Sequence, residues 1–110
     1  MEYKIRKVND VDIIEMSGSL DTASAISAGE QLDKLLAAGA TKIIVNGQGL
    51  DFIASSGLRV IMATGNKLAK DGGEIRLCRL NESVQEVFVM SSLDAIYKIT
   101  ATEDEALVNF

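Results

Sequence analysis

Residues 42–46, Lys-Ile-Ile-Val-Asn, form a short apolar run between turn signals, with Gly39 before it and Gly47-Gln48-Gly49 after it. Such a run suits a β-strand buried on both faces and paired in parallel with a later strand. Parallel pairing needs long crossovers, usually helical, so this feature points to an α/β chain.

The flanking segments supply the remaining elements. In "YKIRKVNDVDIIEMSG" apolar Tyr3 and Ile5 alternate with Lys4 and Arg6, and the pattern resumes at Val11 and Ile13 beyond Asn9-Asp10. That predicts an antiparallel hairpin turning at Asn-Asp. The charged alternation leaves one face of the first strand wet, so the helices are expected mainly on the other face.

A first helix is predicted over Thr22–Ala38, with Ile26, Leu32, Leu35 and Leu36 as a rough apolar stripe and Gly39 as its stop. From Ser56, residues Leu58, Ile61, Met62, Gly65, Leu68 and Ala69 keep helical spacing until "KDGGE". Then follow "EIRLCRL" as a strand, Glu82–Met90 as a helix opened by Asn81 or Ser83, "AIYKI" as a last strand, and a closing helix with Thr102 and Glu105 as a capping box. The expected fold is one α/β domain over residues 1–110, with a mixed sheet opened by an antiparallel hairpin and about four helices packed mainly on one face.

Composition removes several functions. The net charge of -5 comes without any cluster of Lys or Arg, which argues against nucleic acid or an anionic membrane surface and favours a positively charged protein partner. The chain has no histidine and a single cysteine, Cys78, so serine-histidine catalysis, cysteine-histidine catalysis, an internal disulfide and a zinc site are all excluded. No carboxylate pair stands in a catalytic motif, and Gly47-Gln48-Gly49 lacks the residues of a nucleotide-binding loop. No apolar run approaches the roughly 20 residues of a membrane span, so the expectation is a cytoplasmic protein that is not an enzyme and carries neither metal nor cofactor.

The serine pair in "FIASSGLRV" falls between the carboxyl end of a predicted strand and the amino end of a helix, where α/β proteins place binding sites. Two readings compete. A serine hydroxyl can simply cap the helix, contributing roughly 1 kcal/mol relative to alanine. Alternatively, Ser55 is phosphorylated, at a helix end that tolerates the added charge, with Arg59 one turn further on able to lean back toward the phosphate. Met62 shares that face by spacing, although a methionine there is expected in the core. Asp21 reads equally as a helix cap or as an exposed carboxylate near the serine loop, and Asn46 as a turn residue or a positioner of that loop.

Three segments, "GSLDTASA", "IIVNGQGLDFIASSGLRVI" and "GGEIRLCRLNESVQEVF", together resemble the STAS domain of bacterial anti-sigma factor antagonists. The most specific part is Asn46 followed nine residues later by Ser55-Ser56-Gly57-Leu58, with Asp21 ahead of the first helix. The resemblance implies a regulator of transcription that, unphosphorylated, binds an anti-sigma factor carrying a serine kinase and so frees the sigma factor. It further implies that the kinase, which holds the ATP, phosphorylates Ser55, and that a separate serine phosphatase reverses this. By position, Ser56 and Gly57 are companions at the helix start, and Asp21 and Asn46 are polar positions near the site. The family also includes scaffolds of stress-signalling complexes and domains of transport systems, which gives the alternative of a STAS subunit without kinase control. Where the family commonly has aspartate before the two serines this chain has Ala54, with Asp51 the nearest preceding carboxylate.

Overall fold

The computed structural model describes all 110 residues. Strands β1 (Glu2–Val8) and β2 (Val11–Leu20) pair antiparallel with Val8 opposite Val11, so Asn9 and Asp10 alone make the turn. Asn9 takes a left-handed φ of +57°, a conformation asparagine tolerates better than most residues. Then come α1 (Thr22–Ala37), β3 (Lys42–Ile53), α2 (Ser55–Lys70), β4 (Glu74–Cys78), α3 (Glu82–Met90), a 3-10 turn (Leu93–Ala95), β5 (Ile99–Thr100) and α4 (Glu103–Leu107). The sheet order is β1-β2-β3-β4-β5, with every pair after the first parallel.

The expected mixed α/β architecture is the one observed, with differences that matter for the site. The strand expected over residues 42–46 runs on to Ile53, through the stretch that reads as a loop in sequence. Two bulges explain the disguise. Between Glu15 and Ser17 of β2 the partner strand advances from Asn46 to Gly49, and between Gly18 and Ser19 it advances from Leu50 to Phe52, an extra residue each time. The glycines fit close neighbours: a Cβ on Gly47 would stand 2.5 Å from Leu80 Cδ2, and one on Gly49 would collide with the Ser17 side chain.

The predicted "AIYKI" strand is corrected to the 3-10 turn followed by a two-residue strand. Its apolar pattern is satisfied by packing rather than by a ladder, because Tyr97 lies over Gly65 of α2 while Ile96 faces solvent. The stripe assigned to α1 also shifts: Ala25, Ala28 and Leu32 are buried, whereas Ile26 is 69% exposed.

Helices α1, α2 and α3 cover one face of the sheet, where Ile14, Met16, Ile43, Val45 and Leu77 meet Leu32, Ile61 and Phe88. On the other face the smaller α4 sets Ala106 over Val11, Ile13, Ile44 and Cys78. Asn81 caps α3, accepting from the Val84 amide at 2.8 Å, and the Thr102 hydroxyl caps α4, accepting from the Glu105 amide at 3.2 Å.

Gly57 fixes how closely α2 approaches the sheet. A Cβ there would stand 2.7 Å from Leu20 Cγ and 3.0 Å from Ile53 Cγ1, so Gly57→Ala overpacks this contact. The expected cost is about 1–3 kcal/mol, read as a lower urea midpoint with an unchanged slope.

Candidate functional site

The junction between β3 and α2 is short and bare. Ala54 is the N-cap, in extended backbone with φ -97° and ψ 170°, and it has no side-chain acceptor. Its carbonyl accepts from the amides of Gly57 and Leu58 at 3.0 and 3.1 Å. The amides of Ser55 and Ser56, in the first turn, have no acceptor within the chain. The capping role open to the serines in sequence is therefore corrected: Ser55 is the first helical residue, one position too late to cap, and its exposed hydroxyl bonds to no protein group. Ser56 donates its hydroxyl hydrogen bond to Thr22 Oγ1 at 3.3 Å.

That contact brings a second helix start to the same surface. Asp21 caps α1, accepting from the Ser24 amide at 2.9 Å, while the Asp21 amide donates to Ser24 Oγ at 2.9 Å. The Ser24 amide first, and then the Ser24 hydroxyl donating to Asp21 Oδ1, hold the exposed Asp21 carboxyl below the usual carboxylate range. So Asp21 has the structural role, and it also presents a carboxylate to solvent. Helices α1 and α2 run side by side from this edge, with Val60 facing Gly29 and Lys67 paired to Asp33 at 3.1 Å.

Arg59 is exposed one turn after Ser55 and has no carboxylate partner, which leaves its guanidinium free. Met62, expected in the core, is 37% exposed because the buried stripe of α2 runs through Leu58, Ile61 and Gly65 instead. Phe52 at the end of β3 and Ile26 on α1 are exposed as well, and sequence reasoning missed both. An apolar residue on a helix or strand carries no mark distinguishing surface from core. Gly57 contributes no surface; it lies buried on the side of α2 that faces Leu20 and Ile53.

Asn46 stands elsewhere. It shares the α4 face of the sheet with Ile44, seven β3 residues short of Ile53, and is almost completely buried. Its Nδ2 donates to Glu103 Oε1 at 3.1 Å and its Oδ1 accepts from the Gln48 amide at 3.0 Å. It belongs to the floor of a polar cavity of about 370 Å³ lined by charged and polar side chains, among them Arg6, Glu15, Arg79 and Glu103. Arg6 bridges Glu15 and Glu103, and its hydrogen bond holds the Glu103 carboxyl below the ordinary range. The structure thus brings Asp21, Ser55, Ser56 and Arg59 to one surface and leaves Asn46 on another. The extra length of β3 and the alternation of its side chains explain the separation.

No helix is long and apolar enough to cross a membrane. Among known proteins, the chain is 31% identical to the candidate anti-sigma factor antagonist BtrV of Bordetella bronchiseptica, covering 100% of this chain and 95% of that one. It is also 31% identical to the anti-sigma F factor antagonist of Paenibacillus polymyxa, over 97% of this chain and 92% of the relative. Its fold superposes on the anti-sigma factor antagonist SpoIIAA in the unphosphorylated form with a TM-score of 0.82, at 27% identity over 96% of this chain and 93% of that one. The phosphorylated form of SpoIIAA from Bacillus superposes with a TM-score of 0.75, at 26% identity over 96% of each chain. With residues 2–106 matching the STAS domain, the chain belongs to the STAS family.

Proposed function

We propose that this chain is an anti-sigma factor antagonist switched by phosphorylation of Ser55. The unphosphorylated surface formed by Asp21, Ser55, Ser56 and Arg59 binds an anti-sigma factor that carries a serine kinase and its ATP, and binding frees the sigma factor. Transfer of phosphate to Ser55 ends the complex, and a serine phosphatase restores the binding form. The observation that carries this reading is the Ser55 hydroxyl itself, exposed and without a protein partner at the first position of a helix whose cap has no acceptor. The relatives named as anti-sigma factor antagonists, and a solved relative known in both phosphorylation states, support it.

The electrostatics favour a change in binding over a change in fold. A phosphoserine adds about -1.5 to -2 charges and three acceptor oxygens. At the start of α2 it meets the positive end of the helix dipole, two free amides and the Arg59 guanidinium, so the domain accommodates it. A partner that has desolvated this surface meets the same group as added bulk and unpaired charge, which weakens a modest regulatory interface severely. Ala54 fits this scheme, since it places no carboxylate beside the incoming phosphate. The alternative, a scaffold or transport-complex subunit without kinase control, rests on the same residue, because the family's usual aspartate is missing there.

Reaction with ATP and the cognate anti-sigma kinase should add one phosphate, which phosphopeptide mapping places on Ser55, and Ser55→Ala should bind the kinase yet remain unlabelled. Stable binding of the wild-type chain with no labelling at Ser55 would instead support the scaffold reading. Ser55→Asp should melt within a few degrees of wild type while losing the partner. Ala54→Asp supplies the missing acceptor in backbone already extended, and should stabilise the fold by about 0.5–2 kcal/mol, measured as a raised melting temperature.

A further inference from the structure

On the face opposite the three long helices, residues 102–110 are held mainly by polar contacts. Arg76 of β4, only 6% exposed, donates from Nη1 to the carbonyls of Ala106 at 3.0 Å and Val108 at 2.8 Å, and from Nη2 to the Asn109 carbonyl at 3.0 Å. The Phe110 ring stacks on the guanidinium at 4.1 Å. At the other end of the segment, Arg6 and Asn46 hold the Glu103 carboxylate. Apolar anchoring is slight: Ala106 is the one fully buried residue of the segment, with Leu107 and Phe110 half-buried. Helix α4 has five residues, too few to persist without its contacts. Beneath it, Val11, Ile13, Ile44 and Cys78 form a strip separate from the main core.

We infer that residues 102–110 are a latch, pinned by the Arg76 guanidinium, that detaches while the sheet and α1–α3 stay folded, uncovering this strip and making the Cys78 thiol reachable. Release exchanges hydrogen bonds to carbonyls for hydrogen bonds to water, and returns Arg76 to solvent beside Glu74, its carboxylate partner at 2.8 Å. No buried charge is stranded by the opening. The apolar surface lost is small compared with that under α1–α3, so detachment stands well below global unfolding in free energy. Burial pushes the closed-state Cys78 thiol up to about 11, which keeps the covered sulfur unreactive.

The rate at which Cys78 reacts with Ellman's reagent reports the opening. In urea concentrations below the unfolding transition, wild-type Cys78 should react at a rate nearly independent of urea while the far-ultraviolet dichroism stays native. Arg76→Lys keeps the charge but loses the fork that reaches three carbonyls, and should react at least ten-fold faster with the same flat dependence. Phe110→Ala, which removes only the stacked ring, should also react faster, and serves alone if Arg76→Lys does not fold. The inference is overturned if wild-type Cys78 fails to react short of unfolding, if its rate climbs with the urea slope of global unfolding, or if the folded variants react no faster than wild type.

Discussion

Strand β3 lies at the centre of the sheet and needs a cover on both faces, because Ile43 and Val45 point to one side and Ile44 to the other. That requirement places α1, α2 and α3 on one face and α4 on the opposite one. The length of the strand does more. By bulging twice rather than ending at Asn46, it carries the chain to the edge where α1 and α2 begin and leaves Asn46 behind on the α4 face. The position of Ser55 and the isolation of Asn46 therefore have one cause. Gly57 completes the geometry, since it lets the first turn of α2 sit directly on Leu20 and Ile53, fixing the serine on a rigid support.

Two helix starts side by side solve the same problem in opposite ways. Helix α1 closes its own end, with Asp21 and Ser24 capping each other. Helix α2 leaves its first amides without an acceptor and has no acidic residue in its first turn. One end is already occupied by a carboxylate, and the other is open to an added anion such as the phosphate of the proposed switch. A mobile loop could carry a phosphate equally well, but it would convert the added charge into disorder. Fixed on α2, the proposed phosphate would stay where a docking partner has to desolvate it.

Much of this fold was legible in the sequence because the signals were local and strong. The alternation through Tyr3 and Ile5, the Asn9-Asp10 turn, the helical spacing from Leu58 to Leu68 and the start of α3 at Asn81 or Ser83 each follow from the few residues around them. The extension of β3 was hidden, since glycines at 47 and 49 mark loops more often than bulged strands, and only the positions of Leu80 and Ser17 explain why small residues are required. The "AIYKI" segment misled for a related reason: its Tyr97 answers to Gly65 on a helix distant in sequence, not to a neighbouring strand. In the candidate site, residue types were readable and the partition between faces was not. Asp21, Ser55 and Arg59 could be grouped from the elements they start, whereas placing Asn46 required the register of β3 against β2 and α4.

The two faces of the sheet differ in what holds them, and this sets what each can do. Under α1–α3 the contact is wide and apolar, so any opening there exposes much of the core and amounts to unfolding. The surface that carries Ser55 rests on this rigid half, which suits the partner exchange proposed for it. Across the sheet, Arg6 and Arg76 fasten a short segment by hydrogen bonds that water can replace. Polar fastening over a small apolar strip is directional while closed and readily exchanged when open. Rigidity at the serine surface and reversibility at the α4 face therefore follow from a single difference in chemistry between the two sides of β3.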